Sequence, residues 1–120
     1  MSGQTQAVAI PARAVPWTRK ESEGILRIVG DAEPILKGHL NEIVKVTAVR
    51  WDGTPFVTFR GVVRGYRTQG KCYLVIYFPR RLMPMWPTIK DEAGENGIPL
   101  LIELTGLKAK PRGGSSNGNG

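Results

Sequence analysis

The stretch "VKVTAVRWDGTPFVTFRGVVRGYRTQGKCYLVIYF", residues 44 to 78, restricts the fold more than any other part of the chain. Val44, Val46 and Ala48 alternate with Lys45 and Thr47, the period of a strand with one buried face. Asp52-Gly53 supplies the positive-φ turn that a tight hairpin needs, and a second alternating run follows. A further turn at "RTQGK", with Gly70 as its left-handed residue, leads into "CYLVIYF". Strand, hairpin turn, strand, turn, strand is an antiparallel pattern, and it rules out an all-helical chain.

The flanks add to this frame. "EGILRIVGDAEP" reads either as one strand, Ile25 to Val29, closed by a turn at Gly30-Asp31, or as a short helix after Ser22; the strand is favoured. Gly94 and Gly97 frame a loop before a last strand, "IPLLIEL". In "PRRLMPMWPTIKDEA", Pro84 and Pro87 limit any helix to a turn or two. There, Met83, Met85 and Trp86 either cap one end of a barrel or form an exposed apolar contact. With 120 residues the chain makes one small domain with one modest core. The expected fold is mainly β: a small antiparallel barrel or strongly curved sheet of five to six strands, OB-like or swapped-hairpin-like, with disordered termini. Residues 1–17, with small side chains, two prolines and one charge, are expected to form a flexible arm, with Trp17 docking at its end. Residues 18–107 form the single β-rich domain, and 108–120 a basic, Gly/Ser/Asn-rich disordered tail. Lys108, Lys110 and Arg112 there either touch phosphates or simply keep the tail solvated.

The formal charge of +7 is concentrated in that central stretch. Residues 50–81 hold Arg50, Arg60, Arg64, Arg67, Lys71, Arg80 and Arg81 against the single acid Asp52, seven minus one, or +6. Between Lys90 and Glu103, by contrast, Asp91, Glu92, Glu95 and Glu103 face only Lys90. In the strand from Val57, alternation puts Val57, Phe59, Gly61, Val63 and Gly65 on a core face and Thr58, Arg60, Val62, Arg64 and Tyr66 on the other. In the next strand Cys72, Leu74, Ile76 and Phe78 share one side and Tyr73, Val75 and Tyr77 the other. Paired through the Gly70 turn, the two mixed sets make one basic, aromatic surface.

Guanidinium groups neutralise phosphates and tyrosine rings stack on bases, so such a surface suits a nucleic acid strand. Ordinary cross-strand packing of Tyr73 and Tyr77 on Val62 and Val75, with solvated arginines, is the alternative. Gly61 and Gly65 at inward positions fit the tight coiling of a barrel.

Catalytic sets are absent from the pattern. His39 and Cys72 are the only residues of their kinds, so one chain assembles neither a Cys/His zinc set nor a two-histidine site. Cys72, on the apolar face, is expected to be a buried small hydrophobe, unlike a reactive thiol. Asp91, Glu92 and Glu95 do not follow a calcium-loop pattern, and "RGGSSNGNG" lacks the lysine and the helix of a phosphate loop. No cofactor and no metal are expected, and no enzymatic activity. No apolar run reaches membrane-spanning length, and the N-terminus lacks the pattern of an export signal. With a lone cysteine, the expectation is a soluble, cytoplasmic protein without a membrane partner.

"CYLVIYFPRRL", followed after a gap by "IPLLIELTG", resembles the strand, proline-plus-basic turn and closing strand of AbrB-type swapped-hairpin DNA-binding domains. The likeness covers residues 71 to 106, with Pro79, Arg80 and Arg81 at the proline-and-basic segment. It implies an interlocked homodimer that binds duplex DNA. Met83 to Gly97 is longer and richer in proline than that pattern, and the hairpin upstream has no counterpart in it.

The reading reached from the residues is a non-catalytic nucleic-acid-binding protein, with single-stranded DNA or RNA favoured over duplex. The binding candidates are Arg50, Arg60, Arg64, Tyr66, Arg67, Lys71, Tyr73, Tyr77, Arg80 and Arg81. A dimeric duplex-binding regulator is one alternative. The other is an assembly subunit of a ribonucleoprotein or virion, whose acidic Lys90–Glu103 region meets the basic strip of a neighbouring copy.

Overall fold

The computed structural model describes residues 9–20 and 23–110. Its elements are β1 (Ala9–Lys20), β2 (Glu23–Val29), α1 (Ala32–Leu36), β3 (Glu42–Val49), β4 (Pro55–Thr68), β5 (Lys71–Tyr77), α2 (Trp86–Ala93) and β6 (Ile98–Lys108). A 3-10 turn at Lys37–His39 follows α1 and another at Arg80–Met85 precedes α2. The six strands close into an antiparallel barrel in the order β1-β2-β5-β4-β3-β6.

The central meander forms as its turns dictate. Gly53 has φ +91° and its N–H donates to the Arg50 carbonyl at 2.8 Å, closing the β3–β4 hairpin. At the β4–β5 hairpin both Gln69 and Gly70 have positive φ, the paired left-handed conformation whose twist suits a two-residue loop. "EGILRIV" is a strand, held by β1 on one side and β5 on the other.

The flexible arm expected over residues 1–17 is corrected from Ala9 onward, because Ala9–Lys20 is a full barrel strand. Its prolines are accommodated by the register. β1 pairs with β6 over residues 9–14 and with β2 over residues 13–20, so both partners overlap only at Arg13 and Ala14. Pro11 and Pro16 fall in the stretches with one partner strand, where only one side of the backbone carries a ladder and a proline nitrogen can face the other. The barrel therefore runs from Ala9 to Lys108, against the expected 18–107. Residues 1–8 of the expected arm and 111–120 of the expected tail lie outside the described residues.

Inward side chains from all six strands fill the core: Ala14, Leu26, Ile28, Val44, Val46, Phe59, Val63, Ile76, Leu100 and Ile102 are all buried. α2 and the turn before it plug one end. Trp86 is buried, tilts on Phe78 at 5.1 Å between ring centres, and donates its Nε1–H to Thr18 Oγ1 at 2.9 Å. Met83 and Met85 pack against the same core, so this segment caps the barrel.

The strand faces hold only as far as the core extends. Phe59, Gly61 and Val63 of β4 point inward, and a Cβ on Gly61 would stand 2.5 Å from Ile76 Cγ2. Farther along, the β4–β5 hairpin runs past the end of the barrel. There Gly65 and Cys72, expected in the interior, are exposed, because no core remains on that side to cover them.

Candidate nucleic-acid interface

The outer faces of β2, β4 and β5 meet in one surface. Arg64 lies opposite Val75, and Tyr66 opposite Tyr73, through the β4–β5 register; Ile25 lies opposite Tyr77, and Arg27 opposite Val75, through the β2–β5 register. Ile25 and Val75 are buried although they point away from the barrel interior. They are not among the residues of the main core cluster, and are covered from the outside.

Half-buried aromatic rings and cations lie beside them on the same face. Trp17, from β1, meets Tyr73 edge-on at 5.4 Å and Tyr66 at 6.1 Å between ring centres. The Arg27 guanidinium sits 4.5 Å from the Tyr73 ring centre and 5.5 Å from that of Trp17, within cation–π range. Part of the aromatic surface is thus engaged in cross-strand packing.

Next to it lies a groove of about 360 Å³ lined by Arg60, Val62, Arg64, Tyr77, Phe78 and Pro79, with Gly61 between them. Arg60 is exposed. Arg64 donates to Asn41 Oδ1 at 2.7 Å and to the Lys110 carbonyl at 3.5 Å. Those bonds fix its direction and hold Lys110 beside the groove, where Ala109 N–H also donates to the Asn41 carbonyl at 2.7 Å.

The ten candidates do not form one site. Arg60, Arg64, Tyr66, Tyr73 and Tyr77 share the outer face, and Lys71 is exposed at the tip of the same hairpin, opposite Thr68. Arg67 pairs with Cys72 and occupies the other face of the hairpin, since its parity is that of Val63 and Gly65. Arg50 belongs to the β3–β4 turn, where its guanidinium lies 5.1 Å from the Phe56 ring centre and 3.6 Å from a Glu92 carboxylate oxygen. Arg80 and Arg81 are exposed in the 3-10 turn immediately after Pro79. Trp17 and Arg27 join the face without having been among the candidates. Alternation within "EGILRIV" marks Arg27 as outward, but only its non-local pairing with β5 brings it to the tyrosines.

The acidic segment is partly spent within the same chain. Glu92 approaches Arg50, and Glu103 approaches Lys45 at 3.9 Å. Lys45 lies directly opposite Arg60 across the β3–β4 ladder, so Glu103 tempers the charge beside the groove. In the β3–β4 turn, hydrogen bonding from Thr54 holds the Asp52 carboxyl below its ordinary range, with the Thr54 N–H 2.9 Å from Oδ1. Among the described residues no three His, Cys, Asp or Glu side chains gather where they could hold a metal ion, and no helix is long and apolar enough to cross a membrane.

No protein-family model, no curated protein and no solved structure matches this chain.

Proposed function

We propose that this is a non-catalytic nucleic-acid-binding protein that lays an unpaired strand of DNA or RNA along the outer face of β4 and β5. Arg60, Arg64 and Lys71 contact phosphates, with Arg27 contributing to the positive field, while Tyr66, Tyr73, Tyr77 and Trp17 offer aromatic surface to bases. The observation that carries this reading is the convergence of cations and rings from four different strands on one outer surface, beside an open groove flanked by two guanidinium groups. Phosphate neutralisation and base stacking need that combination. Unpaired strands are favoured because a base must leave a duplex to stack on these rings. Contacts of this kind carry little sequence information.

The test is fluorescence anisotropy with labelled single-stranded DNA, duplex DNA and RNA of equal length at two salt concentrations. An Arg60→Ala/Arg64→Ala/Tyr73→Ala variant runs in parallel. Salt-sensitive single-strand binding that the variant loses is the expected result. A preference for duplex together with a dimeric mass would instead favour the interlocked regulator implied by the AbrB-like segment. Absence of binding at low salt would reject a nucleic-acid role and leave an assembly subunit.

A further inference from the structure

Within the closed barrel, the β4–β5 ladder covers only part of β4. β4 pairs with β3 over residues 55–62 and with β5 only from Val63 onward. β5 ends at Tyr77, and the chain leaves through Phe78 and Pro79, with Phe78 N–H donating to the Gly24 carbonyl at 2.9 Å on the far side. Among the described residues, the edge of β4 at Arg60–Val62 that faces away from β3 therefore has no ladder partner, and its backbone borders the groove. Gly61 belongs to this edge: its lack of a side chain is what lets Ile76 seal the core directly beneath.

We propose that this groove is a pocket for a single unpaired nucleotide, a proposal that rests on the strand-binding reading above and locates its specific contact. The base lies against the Tyr77 ring with Val62 and Pro79 as apolar contacts, and its phosphate is held between Arg60 and Arg64. Three features select that occupant. The two guanidinium groups lining the groove call for an anion, and no carboxylate is among the described residues that line it. The apolar and aromatic lining, Val62, Tyr77, Phe78 and Pro79, calls for a flat, weakly polar group. The unpaired strand edge supplies hydrogen-bond partners for the rim of such a group. The volume, about 360 Å³, is at the small end of ligand sites.

The experiment uses the full chain and a short labelled single-stranded oligonucleotide carrying one abasic position, moved stepwise along it. Intact oligonucleotide is measured against wild type, Tyr77→Ala, Tyr77→Phe and Arg60→Ala. Loss of one stacked base weakens binding roughly 5- to 150-fold. A drop in that range is expected at one abasic position with wild type, and also for Tyr77→Ala with intact oligonucleotide. Tyr77→Phe should bind like wild type. Combined with Tyr77→Ala, the abasic position should cost little more, because both remove the same contact. If wild type binds intact strands but no abasic position matters, the pocket is rejected while the face reading survives. Were wild type to bind no strand at all, both would fall. The abasic series needs no substitution, so it decides even if Tyr77→Ala does not fold.

Discussion

At the scale of single residues, Gly61 shows how a backbone position is dictated by a neighbour's side chain. Its inward place on β4 fits the bend of a barrel wall, but the specific cause is Ile76, whose Cγ2 would stand 2.5 Å from a Cβ there. Gly61→Ala should therefore destabilise the fold by about 1–3 kcal/mol, the usual cost of overpacking, as read from urea denaturation. Joined to Ile76→Ala, it should cost less than the sum of the two single changes, because the clash and the cavity offset each other. Asp52 makes a different local prediction. Hydrogen bonds from Thr54 favour its charged form in the fold, so its stabilising contribution is present above the ordinary carboxylate range and fades as pH falls through the lowered folded value. The difference in urea midpoint between wild type and Asp52→Ala should accordingly be full at neutral pH and shrink in strong acid.

At the scale of elements, α2 and the β4–β5 hairpin behave in opposite ways. α2 is short, carries Pro87 in its first turn, and is fixed by what it covers: Trp86 packs on Phe78 and reaches Thr18. Trp86→Phe should cost about 0.5–1.5 kcal/mol in chemical denaturation through the lost hydrogen bond. Trp86→Ala should cost about 3–5 kcal/mol, because it also opens the end of the core. The hairpin, in contrast, extends beyond that core. Cys72 shares the parity of Leu74 and Ile76, yet it is exposed. Its thiol should label with a disulfide reagent in native buffer as completely as in denaturant; protection in the native state would contradict the projecting hairpin. Parity along a strand assigns a face but not the point at which the core ends, which is why the sequence placed this residue inside.

At the scale of the whole molecule, the net charge of +7 understates the polarity of the proposed face and overstates its freedom. Two of the four acids of the 90–103 segment are folded back on basic groups of the same chain, Glu92 toward Arg50 and Glu103 toward Lys45. Head-to-tail assembly through that segment would have to compete with these pairs. Lys45 neighbours Arg60, so Glu103→Gln should strengthen single-strand binding at low salt and steepen the slope of log affinity against log salt by about 0.7, the value of one additional phosphate contact. The two proteins should converge at high salt. An unchanged slope would place Lys45 outside the path of the strand.

The sequence by itself determined the β class, the β3–β4–β5 meander and the separation of β4 into an apolar and a basic side. Each follows from local causes: alternation at a period of two, and turn residues that tolerate positive φ. Only the tertiary structure decided that Ala9–Lys20 is a strand, because Pro11 and Pro16 read as breakers until the one-sided pairing of β1 is known. It also decided how the barrel closes, that β4 pairs with β5 only from Val63 onward, and that Trp17 packs edge-on against Tyr73 with Arg27 over the same ring. These features arise from pairings between distant segments, such as Arg27 with Val75, whose register is set by the simultaneous burial of six inward faces, a condition no single segment contains.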